Sequence, residues 1–324
     1  MNAGQATIEW LCSEQLHVDE EWAVHTPDGF RWWAGEHAQT IEVVGQDSDE
    51  ADETGYHVAV RTELFRSVTL DDRTLVALNQ TFMQAASMSG PVFDGERRTL
   101  TLCSLVRVHK VIASWLRALL SMASVLQLAE AIFVAPRLAL VMGAELATSA
   151  HPHNGVRAEP DAILGVLPQL VIPAGARESR WTAGEIEAAF GAGAGSLYAF
   201  PEGLDGNALV VQVPFTDLQA VCHLRGDASH PGYGHGLLLL QSFPLTPPSE
   251  AESVRLALLL NEMELTQMEF GYGFGSHAYR DGGMWFSTFF PNALHDQIRL
   301  ENLFASCAVR ARMAAMAVDT LAGE

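Results

Sequence analysis

The chain has very little positive charge. A single lysine, Lys110, stands among 19 basic residues against 39 acidic ones, and the formal net charge is −20 over 324 residues. That balance excludes a sequence-independent grip on DNA or RNA, which rests on Lys and Arg neutralising phosphates, and it disfavours anionic membrane surfaces for the same reason. No acidic tail carries the surplus: residues 1-150 hold ten basic against twenty acidic residues and residues 151-324 nine against nineteen, −10 in each. Cysteine is equally scarce. Cys12, Cys103, Cys222 and Cys307 lie far apart with no C-x-x-C pair, so four reduced, mostly buried thiols are expected rather than a disulfide framework.

Several signatures are missing. The opening residues lack a basic stretch followed by an apolar run, so no secretory signal is read and a cytoplasmic location is expected. The glycine runs at 191-196, 232-236 and 271-275 do not satisfy G-x-G-x-x-G, no P-loop exists, and G-x-S-x-G is absent. The acidic stretch 47-53 fails the calcium-loop pattern, with Asp52 where the turn needs Gly and Val58 where a bidentate Glu is needed, and reads as a solvated loop. The one long apolar run, Ala118 to Ala135, contains Gln127 and Glu130 and is bracketed by Arg117 and Pro136. A mid-span acid is costly in lipid, so a buried helix of a soluble core is expected, with no membrane span.

What is present is apolar substance and repetition. With 48% hydrophobic residues and a mean hydropathy of +0.11, the length supports a full core and more than one domain. Short strands are predicted over 21-26, 30-36, 40-45 and 56-65, then a helix from Asp71 to Ala86 with Leu75, Leu78 and Phe82 on one stripe. A hairpin around Asp94-Gly95-Glu96 and a long helix from near His109 follow. The same order recurs as strands over 207-215, 218-225 and 236-243, a helix opened by the capping box Ser249-x-x-Glu252, a hairpin of 268-275 with 284-290, and a last helix from Asn292. A second capping box, Thr182-x-x-Glu185, opens a short helix over 183-190, with Gln5 to Gln15 as its weaker counterpart. Superposing the units aligns Asn79 with Asn261 at an offset of 182. The fold class expected is therefore α+β, with two similar tandem domains at 1-135 and 182-324, related by a pseudo-twofold, and an apolar connector at 136-181.

Gly271, Gly273 and Gly275 leave one face of their strand nearly bare, so either a neighbouring element of the same protein or a bound peptide strand approaches it closely. Adjacent Trp32 and Trp33 must point to opposite faces of a strand, so one of them is exposed or covered by another element. Trp32, Trp33, Tyr272, Phe274, Trp285 and Phe289 are the candidate peptide- or protein-binding residues. No catalytic residue, metal-ligating set or cofactor is expected. The pairs His151/His153 and His230/His235 lack the partners that would complete a metal set. The alternative is a small-molecule or metal-dependent enzyme or sensor whose site lies in the connector, built from His151, His153, Arg157, Glu159 and Asp161.

The element order over 20-135 and 182-320, with the patterns LALLLNEMEL, EFGYGFG followed by MWFSTFF, and LENLFA, resembles the fold shared by type III secretion chaperones and YbjN-like proteins. Here it stands in tandem, as in the actinobacterial peptide-binding chaperone-like proteins. The resemblance implies α+β domains, each an antiparallel sheet packed by helices, that bind extended or unfolded segments of a protein client and carry no catalytic residues. It further implies either a monomer whose fused halves mimic a dimer or a homodimer.

Overall fold

The computed structural model of the chain describes residues 2–48, 54–170, 178–193, 200–205, 208–215, 217–245, 249–267 and 273–323. It is an α+β protein with two antiparallel sheets, one of seven strands and one of six.

The first half opens with helix α1 (Ala3–Trp10), capped by the Asn2 side chain and prolonged by a π turn over Leu11–Gln15. Strands β1 (Ala23–Thr26), β2 (Gly29–Trp33), β3 (Ala38–Ser48) and β4 (Thr54–Arg66) form a meander. Helix α2 (Asp72–Leu78) follows, with Asp71 accepting the Thr74 amide at 2.7 Å, and then a π turn over Asn79–Met83. The hairpin of β5 (Gly90–Asp94) and β6 (Thr99–Val108) turns on Asp94, whose carboxylate accepts the Glu96 and Arg97 amides at 3.0 and 2.9 Å. Helix α3 (Ala113–Phe133) closes the unit. Pro136, which has no amide hydrogen to give, starts a separate helix α4 (Ala135–Met142) rather than extending α3.

Beyond β7 (Glu145–Leu146), which pairs with β4, and α5 (Leu167–Leu170), the succession recurs. Helix α6 (Ala183–Gly193) opens on the reciprocal Thr182/Glu185 capping box, and β8 (Phe200–Asp205), β9 (Ala208–Phe215), β10 (Leu218–His230) and β11 (Gly234–Phe243) form a meander. Helix α7 (Glu250–Glu262), capped by Ser249, passes into a π turn over Met263–Gln267. The hairpin of β12 (Ser276–Arg280) and β13 (Gly283–Pro291) turns on Asp281-Gly282, both with positive φ (51° and 82°), as a two-residue hairpin turn demands. Helix α8 (Leu300–Gly323) begins eight residues after Asn292, where the last helix was expected to start, because Asn292–Leu294 form a separate 3₁₀ turn. The strand order is β1-β2-β3-β4-β6-β5 in one sheet and β8-β9-β10-β11-β13-β12 in the other, the same path traced twice.

The long apolar helix α3 satisfies the length and composition of a membrane span, yet most of it is buried inside the protein. The polar residues that argued against lipid face inward. Gln127 accepts from Thr62 at 2.9 Å and donates to Ser104 and to the Val60 carbonyl, while Gln39 donates to Thr62 and to the Ser124 carbonyl. The helix is therefore pinned to its sheet by amides that are paired on both sides, the only state in which such burial is cheap.

The two halves interlock. Asn79 donates to the Tyr279 carbonyl at 2.8 Å and accepts its amide at 3.0 Å, while Asn261 accepts the His277 amide at 2.6 Å and donates to its carbonyl. Two asparagines, one from each half, thus occupy alternate backbone positions along the outer edge of β12, where an unpaired strand would otherwise be exposed. Of the bare glycine face, residues 268-272 lie outside the described residues; Gly273 meets another part of the same protein, exchanging both backbone hydrogen bonds with Leu105 of β6 at 2.9 and 3.0 Å. A β-carbon at Gly273 would lie 2.6 Å from the Leu105 carbonyl oxygen, so only glycine permits that approach.

Candidate functional site

Where the halves meet, α3 presents Glu130 toward the β10–β11 loop. Ser87 and Ser89 donate to its carboxylate oxygens at 2.7 and 3.1 Å, and the Tyr233 hydroxyl donates at 3.4 Å. Burial pushes the Glu130 carboxyl up to about 7 despite those three donors, and it pushes the Tyr233 phenol well above its ordinary value, reinforced by the carboxylate beside it. His230 donates through Nε2 to the Ala85 carbonyl at 2.9 Å and accepts the Gly232 amide on Nδ1 at 3.0 Å, which fixes its tautomer. Burial pushes it down to about 4, so this imidazole is neutral at pH 7. It stacks on Tyr233 at 4.7 Å and packs on Phe289 at 4.8 Å.

Above this cluster lies a cleft of about 410 Å³, walled by Phe82, Ala129, Phe133, Val134 and Tyr233. A neighbouring cleft of about 400 Å³ shares Phe133, Val134 and Arg137 with it and runs along α4 to Val141. The ridge beside them is apolar and open to solvent: Phe133 is 51% exposed, Leu140 85% and Val141 43%. An apolar trough with a few convergent polar groups and perturbed titration is the usual form of a binding site. At its floor the Glu130 carboxylate is bonded to Ser87, Ser89 and Tyr233, and the His230 imidazole to backbone groups.

The structure distributes the expected site residues elsewhere. Trp32, Phe274 and Phe289 are core side chains, and Trp32 donates to Gln39 at 3.3 Å. Trp33 points to the opposite face, as strand alternation requires, and the connector covers it: its indole donates to Ser149 at 3.0 Å and meets the His151 ring at 4.9 Å. Trp285 is half-buried and donates to the Arg280 carbonyl at 3.0 Å. Tyr272 lies outside the described residues. Large aromatics in strands were the strongest apolar signal, and four of the five described here are consumed by packing.

The connector set does not form an open site either. The Arg157 side chain is 8% exposed and donates to the Trp33 and Glu159 carbonyls and to the carboxylates of Asp19 and Asp161. Asp161 caps a 3₁₀ turn, His151 accepts the His153 and Asn154 amides on Nδ1, and His153 and Glu159 face solvent. These residues strap the connector across the first sheet. In the acidic stretch, Asp47 pairs with Arg107 at 2.6 Å and with His57 at 3.1 Å, and residues 49-53 lie outside the described residues. All four cysteines are free thiols and buried.

Compared with known proteins, the chain matches no family model, no curated protein and no solved structure.

Proposed function

We propose that the chain is a non-enzymatic, chaperone-like protein that binds an extended, apolar protein segment in the trough between α3, α4 and the β10–β11 loop. The observation that carries this reading is the solvent-open row of Phe133, Leu140 and Val141, with the neighbouring Ile132 also exposed, lying together beside a cleft. The repeated strand path and the interlocked halves support a tandem duplication in which the two copies act as a fused dimer of the type III secretion chaperone and YbjN-like kind. A net charge of −20 favours clients with basic residues flanking the apolar segment, by complementarity and by steering.

Panning a displayed peptide library on the immobilised chain tests this. Enriched peptides are expected to be apolar with basic flanks, and to lose at least about tenfold in affinity with Phe133→Asp or Leu140→Asp, a change of about 1.4 kcal/mol. Enrichment of nothing, or of peptides indifferent to both substitutions, would overturn the proposal.

A further inference from the structure

We propose that Cys12, Glu20 and His25 form a binding site for a divalent metal ion of the zinc class. The three come from different elements that converge at the mouth of the first half: the π turn after α1, the 3₁₀ turn Glu20–Trp22, and strand β1. Cys12 Sγ stands 3.9 Å from Glu20 Oε1, His25 Nε2 stands 2.8 Å from Glu20 Oε2, and one donor atom from each residue lies within 4.8 Å of the other two. Around a tetrahedral zinc with ordinary bond lengths, neighbouring donor atoms sit about 3.5 Å apart, so small side-chain rotations close the set. One thiolate, one imidazole and one carboxylate suit zinc, and the sulfur excludes magnesium and calcium. The charges also match, since a thiolate and a carboxylate together neutralise a divalent ion.

The arrangement is open on one side. Cys12 is buried, while the His25 and Glu20 side chains are 51% and 70% exposed and face a cleft of about 580 Å³ that Glu9 and Asp28 also line. Three protein ligands leave a fourth position toward that cleft for water or an incoming donor. Without a cation, the Cys12 thiol donates its proton to Glu20 Oε1. Metal binding replaces that proton: a metal–sulfur bond forms, the S–H bond breaks, and the proton leaves to solvent. The intervals of eight and five residues match no familiar metal motif, and only the fold brings the three together.

The test is titration of the full-length chain, first stripped with a chelator, with cobalt(II) as a spectroscopic probe and then with zinc. One equivalent of cobalt is expected to produce a sulfur-to-metal charge-transfer band that Cys12→Ser abolishes. His25→Ala, at an exposed position that leaves folding intact, is expected to weaken zinc binding at least tenfold. Absence of the band, its persistence in Cys12→Ser, or zinc affinity indifferent to His25→Ala would overturn the assignment.

Discussion

Glu130 links stability to pH in an unusual direction for a carboxylate. Burial raises its folded-state value from 4.5 to about 7, so the folded protein holds a proton that the unfolded chain releases. Its contribution is fully present below pH 4.5 and is lost as pH rises to about 7, a loss of about 3 kcal/mol over that interval. Glu130→Gln removes this dependence. The melting temperature of the variant minus that of the wild type is expected to grow with pH and level off above about pH 7, and a difference flat in pH would contradict it. Another buried carboxylate, Glu264, behaves oppositely. Burial pushes Glu264 up, but Arg310, bonded to it at 2.8 to 3.0 Å, and His277 at 2.9 Å outweigh that and hold it below the carboxylate range. Arg310→Ala leaves that carboxylate buried without its guanidinium partner, and denaturant titration is expected to show a loss of about 3–5 kcal/mol. The double variant Glu264→Gln/Arg310→Met is expected to recover more than half of it.

At the scale of elements, the capping boxes were the most local of the signals and the most faithful. Ser249 and Thr182 each accept the amide three residues on, at 3.3 and 3.2 Å, and both helices begin where the pattern placed them. Ser249→Ala and Thr182→Ala are each expected to cost about 1 kcal/mol in chemical denaturation. Strand alternation was equally legible: the rows 40-45, 56-65, 218-225 and 236-243 all lie within observed strands. Two elements were harder to read. Strand β8 (Phe200–Asp205) follows a glycine-rich stretch and carries Pro201 and Gly203 around a bulge, which weakens any periodic signal. Strand β12 lies just beyond the glycine-patterned segment thought to be the strand, because Gly273 and Gly275 are spent on close approach to β6 and β13.

At the scale of the molecule, the halves share backbone and side-chain hydrogen bonds at several places, among them Asn79 with Tyr279, Leu105 with Gly273, Ser87 with Phe289 and Thr288, His230 with Ala85, and Tyr233 with Glu130. Elements joined in this way lose their partners together, so calorimetry is expected to show a single unfolding transition. Asn79→Ala is expected to lower that transition without splitting it and to speed hydrogen exchange at the Tyr279 amide, which Asn79 now holds at 3.0 Å. Two resolved transitions in the wild type would show that the halves unfold independently.

The sequence by itself determined the α+β class, the order of most elements, the two helix starts marked by capping boxes, the buried thiols and the internal placement of α3, because each depends on periodicity or on groups a few residues apart. Pairing the two asparagines at an offset of 182 was legible too, although the shared strand they hold was not. Only the tertiary structure decided which aromatics are core, that the connector is a strap, that Glu130 sits under an apolar trough, and that Cys12 meets Glu20 and His25. Those facts rest on contacts between residues distant in sequence or on different elements. Composition cannot distinguish an apolar side chain that a neighbour covers from one that water still touches.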